Sequence, residues 1–234
     1  MAQGEVRAVM NDACGSGLVL DRASYAIPRT RRGEARTIIK DASLRVHPGE
    51  RVGLLGANGV GKSTLLRVLA GMLRLDSGEL SNDGVSARAQ GRGFQRSVHL
   101  AAGAPLGFYP RLTGAENLRF LAGLWGVSMS RSQAVACLVE VGLAAEAAAQ
   151  VMYAKYSLGM RQRLHLAALW ADPGATTHLL DEPTTGLDEA GHHMLRQRVL
   201  GAGDKVQVLV SHDADFLGSV CTRTVRLDDA RLVG

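Results

Sequence analysis

Short apolar runs alternate with stretches of helical periodicity toward both ends of the chain. Leu18 to Ala26 and Thr37 to Val46 have strand character, and Arg51 to Leu55 is a short run of the kind a buried strand carries. A Gly-rich turn and a helical pattern from about Lys62 to Ala70 follow it. Further on, His178 to Leu180 and Val206 to Val210 are again buried-strand runs, each ending in polar residues. This βα order predicts a mostly parallel sheet covered by helices. The middle differs, because from roughly Pro110 to Trp170 the pattern is helical throughout. Thr113 with Glu116 has capping-box spacing before an apolar helix, Ser130 with Gln133 repeats it, and Gly142 is placed to stop a helix. The Ala-rich stretch from Ala134 to Ala149, interrupted by Glu140 and Glu146, reads as amphipathic helix. The expected fold is therefore α/β. It has a mostly parallel sheet, an antiparallel β portion near the N-terminus, and a helical lobe inserted over about residues 105–170.

Composition narrows this picture only modestly. The chain has 234 residues, 46% hydrophobic and 21% charged, which suits one core or a core plus a small lobe. Residues 1–17 lack the basic region and apolar block of a secretory signal and read as a flexible extension; 18–234 read as a single domain. No uninterrupted apolar run is long enough to span a bilayer. The cysteines, Cys14, Cys137 and Cys221, are odd in number and widely spaced, so they form neither a zinc pattern nor a disulfide framework, and a reducing cytosol is the natural setting. The net charge of +5 fits a solvated basic surface, although attraction to anionic lipid or nucleic acid has the same sign. The densest basic run, Arg29 to Arg36, reads as a loop.

The strongest chemical signal is Gly56-Ala57-Asn58-Gly59-Val60-Gly61-Lys62-Ser63-Thr64. It matches the P-loop pattern GxxxxGK[ST] and sits between a predicted strand and a predicted helix, where a phosphate cradle must be. Its glycines let backbone N–H groups wrap an anion, and the following helix presents the positive end of its dipole to the same charge. Lys62 adds a full charge for the outer phosphates, and Ser63 offers a hydroxyl to Mg²⁺. The second half of such a site is Leu179-Leu180-Asp181-Glu182-Pro183, a strand ending in two acids. Asp181 is placed to hold Mg²⁺ and Glu182 to act as general base toward the attacking water. The strand is less apolar than usual, since Thr176, Thr177 and His178 precede Leu179; His178 reads as a core or edge residue rather than a ligand.

With these motifs in place the chain resembles the ATP-binding cassette family of P-loop ATPases. Leu180-Asp181-Glu182-Pro183-Thr184-Thr185-Gly186-Leu187-Asp188 is similar to the family's Walker B and D-loop run. Tyr156-Ser157-Leu158-Gly159-Met160-Arg161-Gln162-Arg163-Leu164 is similar to its signature, and Val210-Ser211-His212-Asp213 to its switch histidine. The resemblance spans about Leu18 to Arg231. It implies a P-loop NTPase core that uses ATP with Mg²⁺. Gly56, Asn58, Gly59, Gly61, Lys62, Ser63 and Thr64 would bind nucleotide; Lys62, Glu182 and His212 would be catalytic; Ser63 and Asp181 would hold Mg²⁺. It further implies a head-to-tail dimer in which Ser157 and Gly159 meet the ATP held by the opposite subunit and Asp188 crosses the interface. Departures are visible. Leu158 and Met160 stand where Gly and Gln are commoner, and Ala101 to Pro105 lack the glutamine usual after that strand. Gln95 lies upstream, so that role falls to no residue. For stacking on adenine, Tyr25 is the nearby aromatic, with Ile27 as the alternative register.

The family divides by cargo. Gly107 to Leu118, with the basic insert Pro28 to Gly33, is similar to ATPases that export capsular polysaccharide, O-antigen or teichoic acid, whereas drug and haem exporter ATPases share the Asp-Glu-Pro-Thr-Thr-Gly-Leu-Asp run. The resemblance implies a separate integral membrane permease as partner, a homodimer or a pair with a second such ATPase, and a peripheral place on the cytoplasmic face of the membrane. Phe108, Tyr109 and Leu112 are placed either to meet the permease or to pack within the lobe. Family members acting in DNA repair or translation are the other class. Fewer than a hundred residues between Lys62 and Ser157, without heptads, argue against the coiled-coil repair type. A single cassette argues against the translation type, and no nucleic-acid partner is expected.

Overall fold

The computed structural model describes residues 17–28, 35–102 and 107–233. All but Gly17 of the expected flexible extension 1–17, and most of the basic run after Pro28, lie outside these. Two sheets organise the described chain. In the first, β1 (Leu18–Ile27) pairs antiparallel with β2 (Arg36–Val46) on one side and with β4 (Ser77–Asn82) on the other, and β5 (Val85–Ser86) closes the edge. The second has the order β10-β9-β3-β8-β7-β6, built from β3 (Arg51–Leu55), β6 (Val98–Ala101), β7 (Thr177–Asp181), β8 (Val206–Val210), β9 (Arg223–Asp228) and β10 (Arg231–Val233). All its pairings are parallel except β9 with β10.

The strands form where β-branched and leucine side chains can be enclosed. β8 is buried at all five positions, as suits a parallel strand covered on both faces. β1 instead alternates, with Leu18, Leu20 and Ala23 inward, and its register shifts around Arg22, whose φ is 42°. Helix α1 (Lys62–Leu69) packs Leu65, Leu66, Val68 and Leu69 into the core shared by the two sheets. β7 carries the polar start noticed in the sequence, and β4 explains it. Asn82 is fully buried; its amide donates to Ser97 Oγ and Thr176 Oγ1, both at 2.9 Å, and its carbonyl accepts from Thr177 Oγ1 at 2.8 Å. The threonines are thus satisfied inside the protein by an amide from the other sheet.

The helical insertion comprises α3 (Gly114–Leu124), α4 (Arg131–Glu140), α5 (Ala145–Gln150), a 3₁₀ turn (Tyr153–Lys155) and α6 (Leu158–Trp170). Its own core is separate from that of the sheets. Both capping boxes form, at Thr113 with Glu116 and at Ser130 with Gln133. The Ala-rich stretch is not one helix but two, broken where Gly142 takes a φ of 82°. A third core lies between α6, β7, β8, α7 (Glu189–Gly201) and α8 (Ala214–Val220), so that α6 belongs to both the lobe and the sheet. Helix α2 (Gly91–Ser97), β4 and β5 carry too few apolar residues to announce themselves by periodicity. Among the described residues no helix is long and apolar enough to cross a membrane. Cys137 and Cys221 are unbridged.

Candidate functional site

The loop between β3 and α1 is shaped by close backbone approach. At Gly61, φ is 122° and an added Cβ would lie 2.7 Å from Ile38 Cγ2, so neither the conformation nor the space admits a side chain. α1 begins without a side-chain cap and without an acid in its first turn, leaving its first N–H groups free toward the loop. The Lys62 ammonium lies along this loop, donating to the carbonyls of Gly56 at 2.7 Å and Ala57 at 3.1 Å. Arg36, at the start of β2, donates its guanidinium to the carbonyl of Gly59, a contact that no local pattern announces.

A cleft of about 310 Å³ opens beside the loop. Asn58, Gly59, Gly61, Lys62, Ser63 and Thr64 line one wall; Asp181, Glu182, Val210 and His212 line the other. The ends of two parallel strands, β7 and β8, therefore deliver the acids and the histidine to the phosphate loop. Asp181 is buried, and its Oδ1 has no hydrogen-bond partner within the protein. A buried carboxylate oxygen left unpaired is costly unless a cation or water completes it, and with the Ser63 hydroxyl in the same cleft the pair fits Mg²⁺. No group of three or more His, Cys, Asp or Glu side chains among the described residues could hold a metal by itself. That suits an ion whose remaining ligands are phosphate oxygens and water.

Glu182 has a φ of 50°, in the left-handed region, where a non-glycine residue costs on the order of 1–3 kcal/mol unless its surroundings impose the conformation. They do. Its amide donates to Val210 O at 2.8 Å, and its carbonyl accepts from Thr185 N at 3.2 Å. Its carboxylate accepts from His212 N at 3.0 Å and lies 3.2 Å from His212 Nε2. Glu182 and His212 thus form a contacting pair at the cleft's mouth, an arrangement able to orient and deprotonate a water.

Ser157 is the N-cap of α6, accepting from Met160 N at 3.3 Å, and Leu158 beside it is exposed. Gly159 lies where any Cβ would meet Gly186 O at 2.6 Å. Neither Ser157 nor Gly159 lines the cleft of Lys62. Asp188, expected to reach across to another subunit, has partners within its own chain. It caps α7 through Gly191 N at 2.9 Å and meets Arg163 at 2.5 Å. The Gly191 amide, with help from Arg163, holds its carboxyl below the usual carboxylate range.

Tyr25 is partly buried against the sheet core opposite Ile39 and does not line the cleft; Ile27 is the exposed neighbour. Gln95 lies exposed on α2, before β6 rather than after it, and 103–106 lie outside the described residues. Phe108 packs within the lobe, 5.2 Å from the Tyr153 ring. Tyr109 instead is exposed, edge-on to Phe120, and the two line an apolar surface groove with Leu112. His178 is a core residue, as its sequence context implied. It is paired in register with His99, which stacks on Trp125 and lies 3.5 Å from Asp172.

The family model described as ABC transporter matches residues 39–185. The cytochrome c biogenesis ATP-binding export protein CcmA of Bordetella parapertussis is 37% identical over 212 residues, covering 87% of this chain and 90% of that one. The ABC transporter ATP-binding protein NatA of Bacillus subtilis is 29% identical over 198 residues, covering 83% and 80%. A solved dimeric ATP-binding cassette in a post-hydrolysis state, bound to ADP and Pi, superposes with a TM-score of 0.79 at 24% identity, covering 92% of this chain and 96% of that one.

Proposed function

From the premise that the chain belongs to the ABC transporter family and is an ATPase, we propose that it drives a separate membrane permease by closing around ATP as a dimer. In this reading residues 18–234 form one nucleotide-binding domain. The loop from Gly56 through Asn58, Gly59 and Gly61 to Thr64 binds the phosphates with Lys62, and Ser63 and Asp181 hold Mg²⁺, which would neutralise the charge developing on them. Glu182 takes a proton from the attacking water, and His212, bonded to both carboxylate oxygens, fixes that carboxylate and contacts the γ-phosphate. Ser157 and Gly159 offer the free N-terminus of α6 to the ATP of the facing subunit. Tyr25 would stack on adenine from near the end of β1.

The observation that carries this is the cleft in which phosphate loop, Asp181, Glu182 and His212 converge while Ser157 stays outside it. Glu182→Gln should keep ATP binding and lose turnover by about a hundredfold or more, since general-base contributions run from 10² to 10⁴. Turnover at the parental rate in a single-turnover assay would reject Glu182 as the base.

The permease would place the protein on the cytoplasmic face of the membrane as a peripheral subunit, with the groove at Tyr109 and Phe120 as its docking face. For cargo, the run from Gly107 to Leu118 supports export of a polysaccharide or other glycopolymer. The second reading is an exporter of drug or haem type, which shares the Asp181 to Asp188 run; the identity to a cytochrome c biogenesis export protein supports export of a cargo other than a glycopolymer. Pull-down from membranes and identification of the multi-spanning partner separates the two; recovery of ribosomes or DNA ends instead would reject both.

A further inference from the structure

The segment from Pro183 to Asp188 is gripped by α6 at three points. Gly159 lies against Gly186 O, Arg163 binds Asp188 and also donates to Val141 O at 2.7 Å, and Gln162 donates its amide to Pro183 O at 3.0 Å. Gln162 is 3% exposed, so this bond is made away from water. Its acceptor belongs to the residue directly after Glu182. On the other side, Glu182 is held by β8 and the residues after it, through Val210 O and His212. The left-handed Glu182 is therefore fixed between the sheet, by its own amide and carboxylate, and α6, by the next carbonyl along. Proline locks its own φ, so a shift of the Pro183 carbonyl has only its ψ to turn about before it passes back into the Glu182 backbone.

We propose that Gln162 is a positioning residue for Glu182, joining the helix that begins at Ser157 to the backbone that aims the base. The proposal rests on the reading of Glu182 as general base. In it, engagement of the α6 N-terminus by a facing nucleotide is relayed through Gln162 to the same chain's own base. A shift of α6 then changes turnover without changing the phosphate loop, since no residue of α6 lines the cleft.

The test compares Gln162→Met, of similar length but without a donor, with Glu182→Gln and the parent, each as the full chain with MgATP. Gln162→Met should lower kcat on the order of ten- to a hundredfold, the scale of a misplaced catalytic group, with KM for ATP within about twofold. Parental kcat in Gln162→Met, beside an inactive Glu182→Gln, overturns the positioning role; parental kcat in Glu182→Gln overturns the base reading instead. A loss in Gln162→Met shared equally between kcat and ATP affinity also overturns it, because that is a general loss of structure. Gln162→Glu supplies a readout that packing alone would not move, since its carboxyl can donate to Pro183 O only when protonated. Its kcat, relative to the parent, should recover as pH falls, and a profile parallel to the parent's overturns the proposal even if Gln162→Met does not fold.

Discussion

Stripping water from an imidazole lowers its affinity for a proton, and burial pushes His165 and His178 each down to about 4. Burial lowers His99 as well, with Asp172 opposing the shift. In the unfolded chain each returns to about 6.5. Between those values the unfolded state binds more protons than the folded one, so stability is complete above about pH 6.5 and drains away as pH falls toward 4. Each of the two deeply shifted histidines then removes up to about 3 kcal/mol at the acid end. Tm should drop across that window, and His178→Leu should flatten the drop; thermal scans between pH 7 and pH 4.5 check both. An unchanged slope in that variant would remove His178 from the account. The same residue shows how far sequence could see: a histidine before Leu179 read as core, but its place beside His99, whose ring stacks on Trp125, required the register of β6 with β7.

At the scale of elements, two serine caps allow a comparison. Ser130 accepts from Gln133 N at 3.2 Å and Ser157 from Met160 N at 3.3 Å, so each hydroxyl satisfies one free helical N–H, although only Ser130 belongs to a capping box. Replacing either by alanine should cost about 1 kcal/mol. Only Ser157→Ala should also depress ATP turnover, because in the proposed dimer only that helix end meets a nucleotide. Denaturant melts with parallel ATPase assays decide this, and an equal kinetic effect of Ser130→Ala would show that the lobe merely tolerates neither change. Elements with a full apolar face or a cap were legible from periodicity: Arg51–Leu55 and Val206–Val210 formed at the expected residues, and both capping boxes closed. β4, with the sequence SGELSN, was not, because its stabilisation comes from pairing with β1 and from one buried asparagine rather than from alternation. The cleft was legible because a P-loop and an acid-ended strand are local patterns. Gln162 and Arg36 were not, since their partners lie 21 and 23 residues away along the chain and neither contact leaves a local signature.

At the scale of the molecule, the separation of Ser157 from the cleft makes self-association under ATP the central expectation. Glu182→Gln should sediment as a dimer with MgATP and as a monomer with ADP. Adding Ser157→Arg to that background should keep it monomeric, because a long cation at the cap position obstructs the facing loop and leaves the chain's own cleft intact. Analytical ultracentrifugation reads both, and a dimer that survives Ser157→Arg would place the interface elsewhere.

The Asn82 amide, bonded at three points to the end of α2 and the start of β7, bears on how such an engine moves. It rivets the antiparallel sheet to the starts of the strands whose far ends face the phosphate loop, so the two sheets travel as one chassis. Any stroke must then be taken up on the far side of α6, where the lobe has its own separate packing.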